Sequence, residues 1–255
     1  MTDAMLLESY LKQLRLPTFL DNWQNFAQDA AGENLTYDKF LLALAEQEVI
    51  QRENNQQQRR IKAAKFPFPK ELADFDFSLI PSLNKAKVLQ LAQGAYIKNL
   101  ESVIMVGNPG VGKTHIAIGL GLEGCRQGYK VRFYNSAGLV NEMTQAQEEH
   151  RLPKFLAAAL RHHLIILDEL GFIPFSEKDA QMLFQFCSTL YERVAMMITT
   201  NLRFADWTQV FGDERLTAAL LDRVTHRAQI LEFVGESHRF RQRMKREEQA
   251  KGEAD

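Results

Sequence analysis

The chain has 255 residues, 45% of them hydrophobic and 25% charged, with a formal net charge of −1 at pH 7. That length suits one large or two modest globular domains, no apolar run approaches the ~18 residues of a membrane span, and bulk charge too small to attract nucleic acid leaves any such contact to local clusters. Cys125 and Cys187 are too few for a disulfide framework or a zinc site, and both read as reduced thiols in or near the core of a cytoplasmic protein.

The first ten residues carry acids and no basic stretch, so a secretory leader is not expected. Leu6, Leu7, Tyr10, Leu11 and Leu14 recur at helical spacing. Pro17 breaks that run, and a second helix carries Phe19, Leu20, Trp23 and Phe26, read as bundle core, until Gly32. Thr36 reads as the N-cap of a third helix with Asp38 in its first turn. This helix is expected to bury Phe40, Leu41, Leu44 and Ala45. From Gln51 it is wholly polar, which predicts that it projects from its own bundle or packs on a partner. Phe66-Pro67-Phe68-Pro69 stops it. The expected division is therefore a small all-helical domain over 1–66 and a second domain over 67–255.

In the second domain a helix over 83–98, capped by Ser82, leads to the strand 102–106. Strands follow at 130–134, 164–167, 195–199 and 229–234, separated by helices at 137–147, 154–161, 177–192 and 214–226. The continuous apolar run at 164–167 fits a strand covered on both faces. Alternating strand and helix predicts an α/β fold, a doubly wound parallel five-stranded sheet with right-handed crossovers. A basic helix is expected from Ser237 onward.

The chemistry is read from strand ends. Gly107, Asn108, Pro109, Gly110, Val111, Gly112, Lys113 and Thr114 form Gly-x-x-x-x-Gly-Lys-Thr between a strand and a helix, the spacing of a phosphate-binding loop. Glycines let backbone N–H groups turn inward around phosphate oxygens, and the helix start adds free N–H groups. Lys113 can reach the β- and γ-phosphates, and the Thr114 hydroxyl can ligate Mg²⁺. His115, next along in the first turn of the helix, is counted with them as a nucleotide-binding candidate. Asp168-Glu169 closes the third strand, on the side where ligands sit in parallel sheets. Asp168 can hold the metal, and Glu169 can act as general base on a water. Asn201 ends the next strand and can hydrogen-bond that water or the γ-phosphate. Phe172, Pro174 and Phe175 pack the loop after the acid pair or line an oligomer pore.

The phosphate loop, Leu167-Asp168-Glu169-Leu170-Gly171-Phe172, Ile198-Thr199-Thr200-Asn201 and Leu221-Asp222-Arg223-Val224-Thr225-His226-Arg227 together give a chain that resembles AAA+ ATPases of the initiator and helicase-loader clade. Within that clade it is most similar to the IstB-type transposition helper ATPases of insertion sequences, and the likeness covers nearly the whole chain. The resemblance implies an Mg²⁺-dependent ATPase that self-associates into a ring or helical oligomer. Such an oligomer binds and remodels double-stranded DNA with little regard to sequence and recruits a transposase. It also implies a helical N-terminal domain that docks on a neighbour, and it makes Arg223 the arginine finger donated to a neighbour's γ-phosphate, with Arg215 and Arg227 as rivals. About twenty residues follow the last strand, so no arginine of a C-terminal lid is assigned. A replicative helicase loader with the same core is the alternative. A small-molecule kinase, which needs a second substrate pocket and usually an arginine-rich lid, is disfavoured by the Thr199-Thr200-Asn201 strand end and by the polar N-terminal helix.

Candidate DNA contacts are basic clusters at Arg52, Arg59, Arg60, Lys62 and Lys65, and at Arg151, Lys154, Arg161, His162 and His163. The tail cluster Arg239, Arg241, Arg243, Lys245 and Arg246 reads as a solvated face. Few aromatics are interleaved, which points to phosphate contact without base stacking.

Overall fold

The structure is a computed structural model that describes residues 2–171, 175–235 and 237. Phe172, Pro174 and the basic tail from Arg239 lie outside them. The chain divides into two compact units, Met1–Arg59 and Arg60–Asp255.

The first unit is helical: α1 (Asp3–Gln13), α2 (Pro17–Gly32) and most of α3 (Tyr37–Ala64). Pro17 starts α2 rather than merely ending α1, since its missing N–H is one a first turn leaves unpaired anyway. The Thr36 carbonyl accepts the Phe40 N–H at 3.1 Å. Leu11 and Leu44 are buried, but Leu41, expected inside, is 57% exposed. A unit of about 60 residues leaves part of its apolar surface uncovered. The buried carboxylate of Glu48 accepts the Thr18 N–H at 2.9 Å and Arg52 Nε at 2.6 Å, while Arg52 also donates to the Arg15 carbonyl at 2.6 Å. Burial pushes Glu48 up, but these donors outweigh it and hold the group below its ordinary value.

The second unit begins inside α3, ahead of the Phe-Pro stretch at which the sequence placed the boundary. Ile61 and Ala64 already pack into its core, and Arg60 Nε donates to the Cys125 carbonyl at 2.8 Å. A strap follows with 3₁₀ turns at Leu72–Asp74 and Phe77–Leu79. The single helix expected over 83–98 is two, α4 (Lys85–Leu91) and α5 (Ala95–Lys98), because Gly94 between them has φ +77°. Asn84, not Ser82, caps α4, its side chain accepting the Lys87 N–H at 3.1 Å. The Ser82 hydroxyl instead accepts the Val234 N–H at 2.9 Å.

The α/β elements then run β1 (Ser102–Gly107), α6 (Lys113–Arg126), β2 (Val131–Asn135), α7 (Ser136–Glu148), α8 (Leu152–Ala159), β3 (Leu164–Leu170), α9 (Glu177–Leu190), β4 (Ala195–Thr200), α10 (Trp207–Phe211), α11 (Glu214–Thr225) and β5 (Ala228–Phe233). Pro153 sits in the first turn of α8 instead of preceding it. The five residues of α10 are too short for periodicity to reveal; the turn exists because Trp207 and Phe211 bury together. Phe175 packs on Phe211 with ring centroids 5.7 Å apart.

The strands form one sheet in the order β2-β3-β4-β1-β5, every pair parallel. Alternation sends Val103, Met105, Ile166 and Met197 to the face that α6 covers, and Ile104, Ile165, Leu167 and Ile198 to the face covered by α7, α9 and α11. Both cysteines are buried and free. Burial pushes the Cys125 thiol up to about 11 and Cys187 up to about 12, so neither is a reactive thiolate. Among the described residues no helix is long and apolar enough to cross a membrane.

Candidate functional site

The strand order puts the C-terminal ends of β1, β3 and β4 side by side, and the residues singled out by sequence meet there. A cleft of about 720 Å³ is lined by Pro109–His115, Glu169, Thr199, Asn201 and the strap residues Phe68, Lys70, Asp74, Phe75, Asp76, Leu79 and Ile80.

The phosphate loop needs its glycines for backbone reasons. Gly110 and Gly112 have φ of +79° and +99°, and a Cβ on Gly112 would lie 2.6 Å from the Phe75 ring. Lys113 opens α6 and is 7% exposed. Its ammonium donates to the carbonyls of Gly107 (2.6 Å) and Asn108 (2.8 Å) and to Asn201 Oδ1 (2.6 Å). Asn201 therefore touches the loop lysine, and the Lys113 ammonium is held against the first two residues of the loop.

Asp168 is 5% exposed, and Oδ1 accepts the hydroxyls of Thr199 (2.6 Å) and Thr114 (2.8 Å). Burial raises its pKa above the ordinary carboxylate value, and the two hydroxyls offset part of that. A carboxylate and two hydroxyls meeting at one point are a hard oxygen donor set, which fits Mg²⁺ better than a softer metal.

Glu169 differs from the sequence expectation in its setting. It lies within β3, not beyond it: pairing with β4 is irregular between Leu167 and Leu170, where Leu170 pairs with Thr200. Glu169 has φ +59°, its N–H bonds Thr199 Oγ1 at 2.9 Å, and its carboxylate accepts Asn135 Nδ2 at 3.0 Å. Such a bulge re-aims a side chain, here into the cleft. Asn135 was not among the candidate site residues, and Thr199 was expected only as part of a polar strand end facing the crevice. Both stand at the ends of parallel strands, β2 and β4, so the strand-end rule that found Asp168 and Asn201 reaches them too.

His115 lines the cleft, but its Nε2 lies 2.7 Å from the Glu71 carbonyl of the strap. Arg223 does not line it. It lies on α11, donates to the Ala219 carbonyl at 2.9 Å and stacks over Phe184 at 4.8 Å. Its rivals Arg215 and Arg227 are exposed.

The basic candidates separate. Arg52 and Arg60 are engaged by Glu48 and by the Cys125 carbonyl, and Arg151 pairs with Glu149. Arg59, Lys62, Lys154 and Arg161 are exposed.

The family model for IstB-like ATP-binding proteins matches residues 9–246. A putative ATP-binding protein of insertion sequence IS5376 from Geobacillus stearothermophilus is 34% identical over 245 residues, covering 96% of this chain and 98% of the relative. Another, of insertion sequence IS21 from Pseudomonas aeruginosa, is 34% identical over 94% of this chain and 90% of its own length. In solved structures the fold is similar to the DnaC helicase loader, with a TM-score of 0.53 and 21% identity over 69% of this chain and 99% of that one. It is similar again to the replication initiator DnaA bound to AMPPCP and single-stranded DNA, with a TM-score of 0.53 and 18% identity over 65% and 50%.

Proposed function

Because the chain belongs to the family of IstB-like ATP-binding proteins, we propose that it is an ATP-hydrolysing, DNA-binding oligomer that remodels target DNA and recruits a transposase, with hydrolysis controlling disassembly. The observation that carries the chemistry is the convergence of Lys113, Thr114, Glu169 and Asn201 on one cleft, with the buried Asp168 bonded to Thr114 behind them. Relatives alike over nearly the whole chain come from insertion sequences, whereas the likeness to helicase loaders is one of fold; this favours a transposase over a helicase as partner.

In this reading the inward N–H groups of Gly110 to Lys113 and the Lys113 ammonium bind the phosphates of ATP. Thr114 and Asp168 would hold Mg²⁺, which would supply positive charge against the phosphates. Glu169 takes the proton of the attacking water, and Asn135 fixes the orientation of its carboxylate. Asn201 positions Lys113 and the water. Arg223 acts across a subunit boundary, and the helical unit supplies association and DNA clamping. The expected site of action is the cytoplasm.

The test is a pair of variants. Lys113→Ala should weaken nucleotide binding about 100-fold or more, because the phosphates lose a directed counter-charge. Glu169→Gln should keep ATP binding while turnover falls by about 10²–10⁴-fold, since an amide cannot accept the proton. That variant should then persist on DNA. Normal hydrolysis by Glu169→Gln would sink the base assignment.

A further inference from the structure

One wall of the cleft comes neither from the phosphate loop nor from the strand ends. It is the strap, which contributes Phe68, Phe75, Leu79 and Ile80 and makes the apolar side of the cleft. The strap has no strand pairing to fix it. What fixes it is α6, the helix that starts in the phosphate loop, and the fixing is concentrated at Glu71.

The Glu71 carbonyl lies 2.7 Å from His115 Nε2. A carbonyl only accepts, so Nε2 carries the proton. The Glu71 carboxylate accepts Arg126 Nη2 at 2.6 Å and Nη1 at 2.8 Å, a two-pronged bridge from the far end of the same helix. Arg126 holds Glu71 below its ordinary pKa. Between these anchors α6 carries Gly119, where a Cβ would lie 2.6 Å from Leu72 Cδ2, so the strap lies in a groove cut by a missing side chain. Phe75 then meets the His115 ring edge to face, centroids 5.3 Å apart and planes at 90°. His115 thus touches the strap twice, at the Glu71 backbone and at the Phe75 ring.

We infer that His115 is a positioning residue: it does not grip phosphate but pins the strap, with Arg126 as second anchor, so that the strap's apolar wall is preformed for the base of the nucleotide. This rests on the nucleotide reading proposed above. The division of labour follows from geometry, because Lys113 and the loop amides face the phosphate end whereas the His115 proton is spent on the strap. A preformed wall lowers the ordering cost of binding for whatever lies against it, and leaves alone a ligand that does not reach it.

The separating probe is inorganic tripolyphosphate, which has the charge of ATP and no base. Binding of ATP and of tripolyphosphate is measured by calorimetry for the full chain and four variants. His115→Ala should weaken ATP by about five- to tenfold, the scale of one lost hydrogen bond and its packing, and leave tripolyphosphate within about twofold. His115→Gln places an amide N–H near the Nε2 position and should restore most of the ATP affinity. Arg126→Ala, at a half-exposed site that tolerates change, should show the same ATP-selective loss at smaller size. Lys113→Ala should lose both ligands. Equal loss of both ligands in His115→Ala, unchanged ATP affinity, or a Gln variant as weak as Ala would each overturn the positioning role. A wild-type chain that binds neither ligand would overturn the nucleotide reading itself, a different result from any of these.

Discussion

The two units solve the problem of burying apolar surface in opposite ways. In the α/β unit, Ile104, Ile165, Ile166, Leu167 and Met197 are fully buried on one face of the sheet or the other, because α6 covers one and α7, α9 and α11 the other. In the helical unit, Leu11 and Leu44 are inside, yet Met5, Tyr10, Leu14, Leu41, Leu42, Val49 and Ile50 are each more than half exposed. A unit of about 60 residues buries a smaller share of its surface than a unit of about 200, but size alone does not place that many large apolar residues in water. Patches of this kind mark association surfaces. The chemistry-bearing residues belong to the unit whose core is closed, and most of the large exposed apolar side chains to the unit that has none of them, Val234 being the main exception. A closed core holds Asp168 and Lys113 in fixed geometry; an open one is suited to meeting something else.

Arg223 breaks the comparison most sharply if the proposal holds, since it belongs to the closed unit and yet stands apart from that unit's cleft. Arg223→Ala should leave nucleotide binding by the chain intact and reduce turnover by about 10³-fold. Mixing it with Lys113→Ala protein should restore part of the activity at boundaries that pair an intact loop with an intact Arg223. No rescue at any ratio, in mixtures where joint oligomers are demonstrated, would place Arg223 in its own subunit's fold, where its stacking on Phe184 would suffice to explain it.

Next in size is a contrast within the helical unit. Leu44→Ala removes a side chain that is 2% exposed and should destabilise this unit by about 2–5 kcal/mol. Leu14→Ser with Leu41→Ser alters residues 66% and 57% exposed and should change stability by about 0.5 kcal/mol or less per site. The double variant should instead lose nucleotide-dependent self-association, read by sedimentation, with its helical content intact. If it assembles as wild type does, the exposed surface serves something other than contact between copies.

The sequence reading was more complete for the closed unit, for a physical reason. Parallel strands covered on both faces leave unbroken apolar runs, so all five strands were located to within a residue or two, apart from the longer end of β3. Motifs at strand ends then fell on one edge of the sheet by topology alone. What stayed hidden was local and non-periodic: the bulge that turns Glu169, the Gly94 break, and the single turn of α10. In the helical unit, periodicity announced the helices but not which apolar side chains would find cover. Leu41 and Leu44 look alike in sequence and differ only in what packs on them. Charge clusters were the least legible, because sequence cannot say that Arg52 is claimed by Glu48 and Arg60 by a helix-end carbonyl.

The smallest expected effect concerns which basic cluster contacts DNA. Structure narrows the first cluster to Arg59, Lys62 and Lys65, with Arg52 and Arg60 already engaged; the second keeps Lys154 and Arg161, with Arg151 paired to Glu149. Each cation that neutralises a phosphate should steepen the dependence of log affinity on log salt by about 0.9. One subunit offers few such contacts, and each is screened at physiological salt. An oligomer repeats them along a duplex at high effective concentration, so the slope should steepen as assembly proceeds. Duplex binding measured against salt, for Arg59→Ala with Lys62→Ala and separately for Lys154→Ala with Arg161→Ala, decides between the clusters. A shallower slope in the first pair, at unchanged nucleotide affinity, puts the contact on the polar stretch of α3. A shallower slope only in the second pair puts the contact on α8 and the turn that follows it. Strong preference for one short sequence would contradict backbone tracking by either cluster, because contacts to phosphate carry no sequence information.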